Sequence, residues 1–297
     1  MAETISAEGK QVRKRRRASC AITILVFVGG GILVSTIAEY RLKHTPDALL
    51  LRAIEDGSIE QVKYWLQHGA NANTTGKPSR DTGLLFWYRR IKSPEYPEEA
   101  TPLMYAVDYP EVVQLLLDSG ADPCGKNQEA LLVAARRGDT DTIRLLLKTP
   151  FPPTVLQSAL STAVVCSYRD LFPLLLRYGA RVNGVNQYGM SPLFEAVLGR
   201  QWSDAEYLLS LGADTNLSET KEGQTALIRV TLLGSVEGVT WLLKHNAKVN
   251  LRDKRGLTAL SYACKFERGG RGKPLHPDTD RNFKAVAELL RRAGAVE

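Results

Sequence analysis

Histidine and cysteine are scarce in this chain, four of each in 297 residues, and none is arranged for chemistry. His44, His68, His245 and His276 stand isolated, outside any His-Glu-x-x-His pattern, which removes the common zinc-hydrolase signature. Cys124, Cys166 and Cys264 are odd in number, widely spaced and without a Cys-x-x-Cys pair. Neither a disulfide framework nor a zinc site is expected, and they read as small core residues. Gly-x-Ser-x-Gly and Gly-x-Gly-x-x-Gly are missing too, so neither a nucleophile elbow nor a dinucleotide fingerprint is present. Gly269-Gly270-Arg271-Gly272-Lys273 fails as a phosphate loop, because Glu267 stands where the first glycine belongs and Pro274 where Ser or Thr must follow. No catalysis, metal or cofactor is expected.

Concentrated charge is also lacking over most of the chain. The formal balance is +7, but residues 1–44 hold eight Lys or Arg against three Glu, which leaves the remainder near +2. Nucleic-acid binding wants a dense positive face, and none is expected here.

What is present is a repeat. Gly69-Ala70-Asn71-Ala72-Asn73, Gly120-Ala121-Asp122, Gly179-Ala180-Arg181-Val182-Asn183, Gly212-Ala213-Asp214-Thr215-Asn216, Asn246-Ala247-Lys248-Val249-Asn250 and Gly294-Ala295 recur behind Leu pairs such as Leu208-Leu209 and Leu242-Leu243. The glycine supplies a left-handed residue that ends a helix, and the nearby Asn or Asp favours a turn. Helix openings ahead of these signatures fall at Ala48, Thr101, Glu129, Ser158, Ser191, Thr225 and Thr258, the last three steps being 33, 34 and 33 residues. Ser191-Pro192-Leu193-Phe194-Glu195-Ala196 and Thr225-Ala226-Leu227-Ile228-Arg229-Val230 resemble the Thr-Pro-Leu-His-x-Ala opening of ankyrin repeats, and the period is similar. The resemblance covers residues 45–297. It implies an all-α ankyrin-repeat solenoid of about seven helix-turn-helix units, with a concave face of first-helix side chains and turn tips for protein partners.

The chain departs from that pattern in several places. The His of the opening is replaced by Met104, Leu132, Phe194, Ile228 and Ser261, which removes its usual hydrogen bonding between units and lowers the expected stability. Leu146-Leu147 is followed by Lys148-Thr149-Pro150-Phe151-Pro152-Pro153, where proline cannot continue a helix, so a shortened link is expected. Two insertions, 76–100 and 267–281, interrupt the repeat. The first carries Leu84-Leu85-Phe86-Trp87-Tyr88, an adhesive run that either covers the end of the stack or anchors a partner. The second is a polar, glycine-rich loop.

The longest uncharged run, Ala18 to Ala38, has 21 residues, enough at a rise of about 1.5 Å per residue to cross a bilayer. Arg13-Lys14-Arg15-Arg16-Arg17 precedes it, and only Arg41 and Lys43 follow closely. This bias predicts residues 1–17 as a cytoplasmic tail, 18–38 as a transmembrane signal anchor and the repeats on the far side. The basic run suits anionic headgroups. The competing reading is a cleaved signal peptide ending at Thr36-Ile37-Ala38; the length of the apolar stretch favours a retained anchor. Cys20 precedes the stretch, unlike a lipoprotein cysteine.

The resemblance therefore implies a tethered protein-binding module of bacterial type, in the inner membrane with its repeats in the periplasm. The alternative is an immunity-type inhibitor of a secreted toxic effector, for example a lipase. Five places into each first helix stand Arg52, Tyr105, Glu195, Arg229 and Tyr262, which the resemblance puts on the concave side. Tyr188 and Arg252 lie near the turn tips, with Gln187, Lys221 and Lys254. Phe86 and Trp87 join them if the first insertion is a contact. Aromatic and charged mixtures of this kind suit binding surfaces.

Overall fold

A computed structural model of the protein describes residues 45–76, 100–125, 129–267 and 283–296. The 18–38 segment, nearly all of both insertions, and with them Phe86 and Trp87, lie outside the described residues. Among the described residues no helix is long and apolar enough to cross a membrane. They form fourteen helices in seven pairs, and the only strand-like pairing among them is an isolated bridge between Ser218 and Thr225. The chain divides at Pro102 into two units.

In the first unit, α1 (Pro46–Glu55) packs on α2 (Ile59–Gln67). The Thr45 hydroxyl caps α1 by accepting from the Ala48 N–H at 3.2 Å, and Pro46 sits in the first turn, where no N–H is required. Leu50, Leu51, Ala53 and Ile54 are buried. The Gly76 N–H donates to the Ala100 carbonyl at 3.2 Å, so the first insertion leaves and re-enters the fold at one place.

The second unit contains α3 (Pro102–Tyr105), α4 (Pro110–Asp118), α5 (Glu129–Arg137), α6 (Thr140–Leu146), α7 (Pro153–Val165), α8 (Leu171–Arg177), α9 (Pro192–Leu198), α10 (Trp202–Ser210), α11 (Ala226–Leu232), α12 (Val236–Lys244), α13 (Ala259–Glu267) and α14 (Phe283–Arg292). First helices neighbour first helices, α5 through α13, and second helices also adjoin, as α4 with α6 and α12 with α14. Leu116, Leu175, Leu208, Leu242 and Leu290 are fully buried, each four residues before the left-handed Gly120, Gly179, Gly212, Asn246 or Gly294. The alanine after that residue donates back across the turn, as from Ala213 to Leu208 and from Ala247 to Leu242, both at 3.0 Å. This closure satisfies carbonyls that the helix end would orphan.

The asparagine of the signature does more than favour a turn. Asn183 donates to the Gly212 carbonyl at 3.1 Å and accepts from the Asp214 N–H at 2.8 Å. Asn216 accepts from the Lys248 N–H at 2.7 Å. Asn250 donates to the Gly294 carbonyl at 3.1 Å and accepts from the Val296 N–H at 2.8 Å. Each therefore forms a rung from one unit's turn to the next. Where the opening His would stand, Met104, Phe194 and Ile228 are buried apolar residues, and these rungs are among the polar links that join the units.

The fourth unit opens earlier than expected. α7 starts at Pro153, five residues ahead of Ser158, and runs for 13 residues. The prolines that bar a continuing helix serve as an entry, since Pro fits the first helical position. The link Leu147–Pro152 is short, and no projecting turn tip separates α6 from α7.

Replacing Asn250 by Ala removes one donor and one acceptor between the last two units. We expect a loss of about 1–2 kcal/mol, read by thermal or urea unfolding; Asn183→Ala should behave alike.

Candidate functional site

Turn tips and first helices are joined by side-chain hydrogen bonds in the second unit. Three tips, at Asn186–Gly189, Glu219–Gln224 and Asp253–Leu257, are each folded around one polar side chain. Asn186 Oδ1 accepts from the N–H groups of Tyr188 and Met190 at 2.8 and 3.1 Å. Asp253 Oδ1 accepts from Arg255 and Leu257 at 2.9 and 3.0 Å. Glu219 does the same with its longer arm, accepting from Lys221 and Glu222 at 2.7 and 2.6 Å. Neighbouring tips touch: Thr220 N–H donates to the Gly189 carbonyl at 3.2 Å, and Lys254 N–H to that of Glu222 at 3.0 Å. Gly189 is required there, because its φ is +77° and a Cβ would lie 1.8 Å from Thr220 Oγ1.

The predicted first-helix contacts are largely taken up by this framework. Glu195 accepts from Asn186 Nδ2 at 2.7 Å and from the Ser161 hydroxyl of α7 at 2.7 Å. Arg229 donates to Gln224 Oε1 at 3.3 Å. The Tyr262 hydroxyl donates to Asp253 Oδ2 at 2.6 Å. Tyr105 and Tyr262 are buried, and Glu195 and Arg229 are half-buried. In three successive units one helix position thus braces its own tip, by three different chemistries. Tyr188 and Arg252 remain exposed on the tips; Arg252 donates to the Gly256 carbonyl at 2.6 Å. Arg52, exposed on α1 of the first unit, lies 4.0 Å from Asp56. Phe86 and Trp87 fall outside the described residues.

Two carboxylates respond oppositely to these surroundings. Burial pushes the Glu195 pKa up, against the hydrogen bonds from Ser161 and Asn186. Burial also acts to raise Asp253, but hydrogen bonds from Tyr262, Leu257, Arg255 and Gln224 together hold it below the ordinary value. Burial, then the Asp253 carboxylate, push the Tyr262 hydroxyl up.

A surface on α7 was not singled out from the sequence. From Thr149 to Tyr168 the chain carries no charged residue for 20 positions, the signal that could have marked it. α7 buries Val155, Leu156, Ala159, Leu160, Ala163 and Val164 and turns Thr154, Ser158, Thr162 and Val165 outward. Val165 is 61% exposed. Between α5, α7 and the next tip lies a pocket of about 280 Å³, lined by Leu132, Thr154, Val155, Ser158, Val185, Asn186 and Gln187. It exists because no tip stands between α6 and α7, so the Val185–Gln187 segment overhangs open helix. A wider depression of about 730 Å³ around Arg200 and Trp202 is occupied by braces: Arg169 pairs with the buried Asp204 at 2.8 Å and lies over the Tyr207 ring. Among the described residues no group of His, Cys, Asp or Glu is placed to hold a metal ion.

Because its folded pKa is raised, Glu195 binds protons more readily folded than unfolded, so its ionisation weakens the fold as pH rises above the ordinary carboxylate value of about 4.3. Glu195→Gln keeps an acceptor for Ser161 and Asn186 without the buried charge. Melting curves should show it more stable than the wild type near neutral pH, with the gain shrinking as pH falls toward about 4.3. A gain that grows on acidification would contradict this.

Comparison with known proteins places these features in a family. A family model described as "Ankyrin repeats (3 copies)" matches residues 31–155, 103–185, 131–219 and 203–273. Human ankyrin repeat and SOCS box protein 16 is 31% identical over 176 residues, 58% of this chain and 37% of that protein. A Caenorhabditis elegans homologue of transient receptor potential cation channel subfamily A member 1 is 28% identical over 59% of this chain and 14% of its own. The chain thus spans well under half of either relative. Among solved structures, the ankyrin repeat domain of Bcl-3 is similar with a TM-score of 0.57 and 25% identity, covering 82% of this chain and 97% of that one. The human ASB11 ankyrin repeat domain, at 19% identity and a TM-score of 0.56 over 84% and 98%, shares the fold. With the family match, the seven helix pairs and the repeated left-handed closures in agreement, this chain belongs to the ankyrin repeat family.

Proposed function

We propose that this protein is a membrane-tethered interaction module that binds a protein partner through the open side formed by its turn tips and first helices. The observation that carries this reading is the division of polar work on that side. Asn186, Glu195, Arg229, Asp253 and Tyr262 hold the tips in place, helped by Arg252, which donates to the Gly256 carbonyl, and Lys254, which donates to those of Thr220 and Lys221, and this leaves Tyr188, 66% exposed, and the exposed Lys221 side chain on a rigid base. Pre-ordered contact groups lose less entropy on binding. The second-helix side is busy with its own pairs: Trp202 stacks on Trp241 at 5.5 Å, Trp241 on His245 at 4.0 Å, and Glu237 accepts from Arg200 and Trp202. Those hydrogen bonds hold the Glu237 carboxyl below its usual range.

The tether rests on the 21 uncharged residues 18–38 and the five basic residues ahead of them. It implies a single pass with the repeats on the side opposite residues 1–17, which in a bacterial cell is the periplasm. The inhibitor reading has no observation of its own in its favour; the relatives named above are animal proteins.

A photo-crosslinking amino acid placed at Tyr188 or Arg252 of the full chain in its native cells should give protein adducts, and one at Thr240 or Glu206 on the second helices should not. Adducts from the second-helix positions alone would reverse the assignment. Deleting residues 18–38 should release the protein from alkaline-washed membranes; continued sedimentation of the deletion variant would refute the anchor.

A further inference from the structure

We infer that the uncharged face of α7, with the pocket beneath Val185–Gln187, is the seat of a partner segment that offers one large apolar side chain with a carboxylate close by in sequence. This rests on the protein-binding reading and names the chemistry of its partner. The pocket, about 280 Å³, is smaller than the roughly 300–1,000 Å³ of small-molecule sites, and it suits a single side chain. No charged residue lines it. Thr154 and Gln187 are its exposed polar members; the other two are committed, the Ser158 hydroxyl donating to the Thr154 carbonyl at 3.0 Å and Asn186 Nδ2 to Ser161 and Glu195. A polar anchor would lose water there for poor replacement. An apolar one would meet Leu132, Val155 and Val185 and gain about 25 cal/mol for each Å² it buries.

Charge decides the rest of the segment. Leu132 lies on α5, and one turn further along the same helix stands Arg136, exposed. Its neighbour Arg137 is engaged with Asp108. On the other flank Glu195 is half-buried and already bonded to Ser161 and Asn186. Among the described side chains flanking the lane, the exposed charge on α5 is thus that of Arg136, and a carboxylate complements it. Beyond the pocket, Ser158, Thr162 and Val165 present small, uncharged surface, so a partner backbone can approach α7 closely, and charge depletion of this sort marks interface cores.

The test uses the full chain against a random-peptide display library. Enriched peptides should share a Leu, Met or Phe with Asp or Glu a few positions away. Ser158→Arg, which fills the pocket, and Val165→Glu, which adds a like charge on an exposed site, should each weaken a selected peptide about tenfold or more at an unchanged melting temperature. Arg136→Glu should turn the selection toward Lys- and Arg-containing peptides. Enriched peptides indifferent to Ser158→Arg and Val165→Glu but weakened by Tyr188→Ala would overturn the α7 seat and leave the protein-binding reading standing. A library without apolar-acidic enrichment overturns it as well. Crosslinking confined to the second helices is the separate result that sinks the broader reading.

Discussion

A single helix pair of this protein has apolar residues on both flanks and nothing of its own to cover them. Leu116, Ile143, Leu175, Leu208 and Leu242 are buried to zero exposure only because a neighbouring pair lies against each. That requirement sets everything else. Pairs must repeat, they must enter at nearly constant spacing, and every connection must reverse the chain without spending a buried backbone group. The left-handed residue after every second helix but α6 meets the last need, and it is Gly in most units but Asn246 in one, the residue that tolerates this conformation best after glycine. Stability in such a stack is a sum of local terms between neighbours, which is why the asparagine rungs matter more than their exposed setting suggests.

The recurring Gly-Ala signature and its spacing made the repeat legible, because a helix terminus needs a specific backbone conformation and few residues supply it. The polar roles were less legible. Counting places along each first helix finds Glu195, Arg229 and Tyr262 at equivalent positions, and the resemblance puts them on the open side. Their burial depends on whether a partner waits in the preceding turn: Asn186 for Glu195, Gln224 for Arg229, Asp253 for Tyr262. Periodicity assigns a face to a residue and says nothing about hydrogen-bond partners at that face. The helix opening expected at Ser158 falls at Pro153 for a related reason. A proline run signals an interruption and equally a helix entry, and only the packing of Val155, Leu156 and Ala159 decides between them.

The three braces also show how the same position tolerates unlike chemistry. Tyr262 on Asp253 keeps its charge on the tip, where backbone N–H groups share it, and the carboxylate titrates low. Glu195 brings its charge inside, where burial outweighs two donors and the carboxyl titrates high. Arg229 meets a neutral amide. Coulomb and desolvation terms therefore differ along the row while the geometry stays the same. Acid acts on the first and third tips in opposite senses: ionised Asp253 favours the fold, and ionised Glu195 disfavours it.

The break in the tip row at Leu147–Pro152 has a consequence that follows from the same one-dimensional logic. Where tips are present, they lean on one another, Thr220 on Gly189 and Lys254 on Glu222, and they shade the helix beneath. Where a tip is missing, the helix face must be either charged enough to stay solvated or apolar enough to seek cover. α7 is uncharged along its whole length. Its outward residues are small or β-branched, and two of its hydroxyls turn their protons back to the helix backbone. A face with no charge and few available donors has little to offer water. The overhanging Val185–Gln187 segment then converts a gap in the repeat into a bounded pocket, so the most irregular junction of the described stack also offers a shape that a partner side chain can fill.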